Sequence, residues 1–290
     1  MKKFIIMVST LIIIVTVFLF LFFNTEEKFI NEKVYSIKTN YSYLSDGKVL
    51  IPIKLYSNNK NSLLKYANES NATLHDLNEE NVVSIDVVES RISSVTYLED
   101  ENLYEYILKT EINITSLVID DCYLSLKFSN NVFTFEIGRV EVEEKGQDFN
   151  NINITNLYGL SSEDDISLHG LVITFNNRSD TRMKISNIKI GSNYELLLNK
   201  NNVITPSDSL KIEEYEYVSN ESSDNLIIEG NSSTTYLIPI KYTDDYFLYN
   251  CYLLIEIDGE KYYISNFDYI NSNDLNRLIR YIEGGVIYEF

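Results

Sequence analysis

The sequence predicts a mainly β protein carried behind one membrane-spanning helix. Three observations lead there. Phe4 to Phe23 is an uncharged, apolar run preceded by Lys2 and Lys3. Beyond it, apolar and polar residues alternate with period 2, the spacing of a half-buried strand. The chain has 23 Tyr and 14 Phe but only two alanines, Ala67 and Ala72, so strand-favouring residues far outweigh the strongest helix former.

The apolar run holds twenty residues, and a helix of that length spans roughly 30 Å, the thickness of a bilayer's hydrocarbon core. A cleaved secretory signal is the rival. Its apolar region is shorter and ends in a small-x-small pair, whereas this run ends Leu21-Phe22-Phe23-Asn24. Lys2 and Lys3 precede the span and Glu26 and Glu27 follow it. The positive-inside rule therefore expects a cytoplasmic N-terminus and an exported remainder, making a single-pass cell-membrane protein with extracellular C-terminal domains.

The first strands run from Lys33 to Ser42 and from Lys48 to Tyr56, with Asp46-Gly47 between them as a hairpin signal. Ser62–Ala67 and Thr73–Glu80 read as a helical insertion. Strands follow at Val82–Val88, Ser94–Leu98 and Ser116–Ile119. Cys122–Phe128 and Val132–Ile137 then form a second hairpin around Ser129-Asn130-Asn131. Further strands are expected at Leu171–Asn176, Lys184–Ile190, Leu210–Val218, Leu226–Glu229 and Thr235–Tyr242. A third hairpin joins Cys251–Ile257 to Glu260–Phe267 through Asp258-Gly259. Asn273–Glu283 reads as a short amphipathic helix capped by Ser272 or Asn273 and ended by Gly284-Gly285. Val286–Phe290 reads as a last strand, expected to pair within its own sheet.

Two likenesses suggest an internal duplication. Gly47–Ile51 leads to Asn58-Asn59-Lys60-Asn61, and Gly170–Thr174 leads to Asn176-Asn177-Arg178-Ser179. Tyr106-Ile107-Leu108 precedes Cys122-Tyr123-Leu124, as Tyr236-Leu237-Ile238 precedes Cys251-Tyr252-Leu253. Many short strands with frequent turns fit sandwiches rather than βαβ units. The expected architecture is thus a cytoplasmic tip and anchor over residues 1–28 and two tandem immunoglobulin-like β-sandwich domains, residues 29–147 and 148–290, the second carrying the C-terminal helix.

The charge balance is 24 Lys+Arg against 43 Asp+Glu, a net −19. That excludes nucleic acid and anionic lipid as natural partners, because both need clustered cations. Partners are instead the membrane, through Phe4 to Phe23, and a protein or cell-surface glycan. No G-x-S-x-G, S-x-x-K or H-E-x-x-H motif occurs. The two histidines, His75 beside Asp76 and His169 before Gly170, read as loop or surface residues. Cys122 and Cys251 each begin a core strand and read as buried thiols rather than a bridge. No cofactor is expected, and calcium is the one metal considered. Its candidate loops are Glu163-Asp164-Asp165 and Asp244-Asp245, whose oxygens suit a hard cation. Tyr246, Tyr249, Tyr262 and Tyr263 cluster near the last hairpin as candidate binding-surface residues. Consecutive Tyr262 and Tyr263 should face opposite sides of their strand. Eight N-x-S/T triplets, at Asn40, Asn68, Asn71, Asn113, Asn153, Asn177, Asn220 and Asn231, matter only in a glycosylating pathway. The function expected is a membrane-anchored extracellular binding protein, or an accessory subunit of an envelope or membrane complex. The alternative is a surface hydrolase using a carboxylate pair that the sequence does not single out.

Overall fold

The computed structural model describes residues 32–98, 101–146, 151–160, 170–191, 194–196, 198, 203, 225–240, 247–268 and 286–289. The chain is mainly β. In order the strands are β1 (Lys33–Ser36), β2 (Thr39–Ser45), β3 (Val49–Ser57), β4 (Asn71–His75), β5 (Val82–Leu98) and β6 (Glu101–Ile112). They continue as β7 (Leu117–Phe128), β8 (Asn131–Glu144), β9 (Ile152–Leu160), β10 (Gly170–Asn177), β11 (Met183–Ile190) and β12 (Tyr194–Glu195). The last are β13 (Leu226–Ile228), β14 (Ser232–Pro239), β15 (Phe247–Ile257), β16 (Glu260–Asp268) and β17 (Val286–Glu289). Among the described residues there is one 3-10 helix, Leu63–Glu69, between β3 and β4. No helix among the described residues is long and apolar enough to cross a membrane. Phe4 to Phe23, Leu210–Val218 and Asn273–Glu283 lie outside the described residues.

One sheet runs in the order β12-β11-β15-β2-β8-β7-β4-β5-β6-β3-β1-β17, and a second in the order β14-β10-β9. The long sheet changes direction within β5. Residues Val82 to Ile85 pair with β4, and Asp86 to Leu98 pair with β6. Register slips at Val88 and Ser93 let the strand bend. The sequence suggested two strands here because those slips interrupt the alternation.

Two buried clusters follow. The first joins Ile51, Ile53, Leu55, Tyr106 and Leu108 to Leu74, Leu124, Leu126, Phe135 and Val140. The second joins Leu171, Ile173 and Phe175 to Ile185, Ile188, Tyr236, Leu253 and Ile255. Each fully buried aliphatic side chain contributes roughly 1.5–3 kcal/mol. Alternation sets these clusters: in β7, Leu124 and Leu126 face the core while Tyr123 and Ser125 face away.

Two local expectations are corrected. Asp46-Gly47 is not a hairpin. β2 pairs in parallel with β8 and β15, whereas β3 pairs with β1 and β6, so the strands on either side of the turn take different partners at separate places in the long sheet. Thr73–Glu80 is not helical. Asn71–His75 is strand β4, held between β5 and β7, and ladder pairing on both edges outweighs local helix preference. Only Leu63–Glu69 keeps a helical form, with Ser62 Oγ accepting from Leu64 N at 3.0 Å. The last strand, β17, pairs antiparallel with β1, at the far end of the chain in sequence. Tyr288 seals that contact by stacking edge-on against Phe135 at 5.1 Å and accepting from Glu136 N. The hairpins β7–β8 and β15–β16 form as expected.

Candidate functional site

A buried charged network lies where strands of the two regions run side by side. β2 runs between β8 and β15, parallel to both. On β8, Ile137, Val140 and Val142 belong to the first cluster, while Arg139 and Glu141 are buried outside it. Arg139 Nη2 lies 3.4 Å from Glu141 Oε2, and Nη1 lies 2.8 Å from Asp120 Oδ1. Asp120 and Asp121 bulge out of β7 opposite Arg139, so both are exposed despite being consecutive. From β15, the Tyr252 hydroxyl donates to Glu141 Oε1. Burial first, and the Glu141 charge second, hold the Tyr252 phenol protonated far above its ordinary range. On β2, Ser42 Oγ donates to Asn40 Oδ1 at 3.0 Å.

Two glycines make this close approach possible. Gly138 has φ +104, and a Cβ there would sit 2.5 Å from Thr39 O. Gly191 has φ +57, donates its N–H to Tyr252 O, and leaves only 2.8 Å between a Cβ and Ser42 Oγ. Any larger residue at either position is strained and collides. The arrangement is a lock: a carboxylate desolvated by both regions, satisfied by a guanidinium from one and a phenol from the other.

A second polar assembly covers the outer face of β4, β7 and β8. Ser84, Thr73, Ser125 and Thr134 stand in register across β5, β4, β7 and β8. His75 Nδ1 lies 2.8 Å from the Asp76 carbonyl oxygen, and Nε2 lies 2.8 Å from Ser125 Oγ. Ser125 Oγ in turn lies 2.8 Å from Thr134 Oγ1. The imidazole stacks near-parallel on Tyr123, centroids 5.8 Å apart. Beside Tyr123, on β8, Glu136 forms an ion pair with Lys38 at 2.5 Å, and the Glu136 carboxylate raises the Lys38 ammonium. Reading His75 as a loop residue missed this site. The residues are far apart in sequence, and only the strand form of 71–75 brings them together.

The other sequence candidates are placed as follows. Asp164, Asp165, Asp244, Asp245, Tyr246 and His169 lie outside the described residues, as does the Tyr249 side chain. Tyr262 and Tyr263 do face opposite ways. Tyr262 packs on the second cluster and donates to Glu260 Oε2 at 2.6 Å. Tyr263 packs on Tyr252 at the junction, centroids 6.0 Å apart. Among the described residues no group of three His, Cys, Asp or Glu side chains is arranged to hold a metal. Cys122 is a free buried thiol, pushed by burial up to about 12. Asn40 and Asn177, two of the N-x-S/T asparagines, are fully buried. No family model matches the chain, and no curated protein matches it either.

Proposed function

We propose that the chain is a single-pass, membrane-anchored extracellular binding protein whose two β regions act as one rigid presenting body. The cytoplasmic tip and the Phe4 to Phe23 anchor come from the sequence reading. The observation that carries the rest is the junction: a desolvated Arg139–Glu141–Tyr252 network under a continuous run of strands. Buried charge costs several kcal/mol to desolvate. Spending it between two cores favours fixed geometry, which a binding surface needs and a flexible tether does not.

The finer fold reading is two tandem immunoglobulin-like sandwiches. In the first region, β1-β3-β6-β5 follows the A-B-E-D order, β4-β7-β8 follows C-F-G, and β2 lies parallel to β8 as a split first strand. In the second region β10 lies between β9 and β14 as β3 lies between β1 and β6, and β15 lies between β11 and β16 as β7 lies between β4 and β8. The segments noted as alike in sequence occupy these matching places, which supports duplication. Sandwiches of this order host many functions, so the role rests on the anchor and junction rather than on fold.

The remaining buried carboxylates also favour binding over a carboxylate-pair hydrolase. Glu32 accepts from Ser57, Ser62 and Leu63, and Glu105 accepts from Tyr56 and Ser93. Each is engaged in holding strands and loops together. The test is two-part and uses the full-length chain in its native membrane. Protease added outside intact cells should digest the β regions, and crosslinking followed by mass spectrometry should recover a stable partner at near-equal amount. Protection of the β regions in intact cells would overturn the topology. Recovery of the chain alone would remove the accessory-subunit form and leave glycan display.

A further inference from the structure

We propose that Ser125 is a nucleophile, activated by His75, that takes an acyl or phosphonyl group from an activated, uncharged ester. This goes beyond the binding role and does not rest on it. The hydrogen-bond directions follow from the atoms alone. The Asp76 carbonyl oxygen can only accept, so His75 Nδ1 carries the proton. In the neutral ring Nε2 is then a bare lone pair, and the Ser125 hydroxyl 2.8 Å away donates to it. With its proton committed to the imidazole, Ser125 Oγ accepts from the Thr134 hydroxyl. The chain therefore runs Thr134 to Ser125 to His75 to the Asp76 carbonyl. That is a nucleophile, a base and an orienting acceptor within hydrogen-bond reach.

The surroundings suit the role. The ring is held by stacking on Tyr123 and is 8% exposed, so its orientation is fixed. Ser125 is half-buried, on the face of β7 opposite the core. Strand alternation puts the exposed Lys127 on the same face as Ser125, two residues along. The core face of β7, through Leu124 and Leu126, does not use the Ser125 hydroxyl at all. The net −19 charge disfavours anionic esters.

In the step, a bond forms from Ser125 Oγ to the acyl carbon while the hydroxyl proton passes to His75 Nε2. The carbon–oxygen bond to the leaving alcohol breaks, and the imidazolium returns the proton to that alcohol. Water then repeats the sequence and frees the acid. A fluorophosphonate probes the first half: a phosphorus–oxygen bond forms, and fluoride leaves with the proton.

The experiment incubates the full-length chain with a biotinylated fluorophosphonate and reads the adduct by peptide mass spectrometry. The expected result is one adduct, on Ser125, that is lost in Ser125→Ala and retained in Ser84→Ala, the neighbouring hydroxyl of the same row. His75→Gln should slow labelling about 100-fold, the usual worth of a general base. Thr134→Val should slow it less, and thermal unfolding of each variant shows that the fold is kept. If His75→Gln fails to fold, the labelled position in the unaltered chain and the Ser125→Ala and Thr134→Val rates decide. Labelling spread evenly over exposed serines, no label on Ser125, or unchanged labelling in a folded His75→Gln variant overturns the proposal.

Discussion

The turn after β3 and the turn after β10 begin alike, with Asn58-Asn59 and Asn176-Asn177, yet they are held by opposite chemistry. In the first, donors converge: the Ser57 and Ser62 hydroxyls and Leu63 N–H all point to the Glu32 carboxylate, which is 1% exposed. In the second, carbonyls converge: Asn177 Nδ2 donates toward Thr181, Ile228 and Glu229, while Oδ1 accepts from Ser179 N. A carboxylate only accepts, and an amide does both, so each turn holds the group its neighbours require. The contrast extends across the regions. The first buries Glu32, Glu105, Arg139 and Glu141; among described residues the second buries only neutral polar groups such as Thr174, Asn177 and Thr235. Charge is thus concentrated in the first region and at its junction with the second.

Exchanging these chemistries breaks the comparison most severely. Asn177→Asp puts a buried charge against three carbonyl oxygens, and chemical denaturation should show a loss of roughly 3–5 kcal/mol, the scale of an uncompensated buried charge. Glu141→Ala strands Arg139 at the junction and should cost a similar amount by the same rule. Glu32→Gln turns one acceptor into a donor facing Leu63 N–H, and the expected cost is about 1–3 kcal/mol.

Tyr252→Phe removes one hydrogen bond to a charged acceptor, worth roughly 1.5–3 kcal/mol. It also changes the alkaline limb. The Tyr252 pKa is higher folded than unfolded, so its stabilisation is complete below the unfolded tyrosine value and is lost as pH rises above it. Between about pH 10 and the folded value each such group steepens the loss by about 1.4 kcal/mol per pH unit. Stability measured from pH 9 to 11 should therefore fall less steeply in Tyr252→Phe. An unchanged slope would mean the phenol ionises equally in both states. At the small end, Lys60→Ala and Arg178→Ala alter exposed turn residues and should stay within about 0.5 kcal/mol of the parent.

Much of the local fold is legible in the sequence. The alternation of Cys122–Phe128 and of Cys251–Ile257, with their turns, gives both β7–β8 and β15–β16. What alternation cannot convey is which strand pairs with which. Asp46-Gly47 carries a hairpin signal, but β2 gains more by lying between β8 and β15. Likewise Val286–Glu289 reads as strand, while its partner β1 lies at the other end of the chain. The junction escaped for the same reason. Arg139, Glu141 and Tyr252 look like ordinary strand residues, and Gly138 and Gly191 carry no turn motif; only parallel pairing through β2 brings them together.

The most direct test of the rigid two-region account is hydrogen exchange, read by mass spectrometry on the full-length chain and on Glu141→Ala. If the junction joins the regions, strands β3 and β6 of one and β10 and β14 of the other open with one free energy in the parent, and with two in the variant. Two separate opening energies already present in the parent, or a Glu141→Ala pattern identical to the parent's, would contradict it.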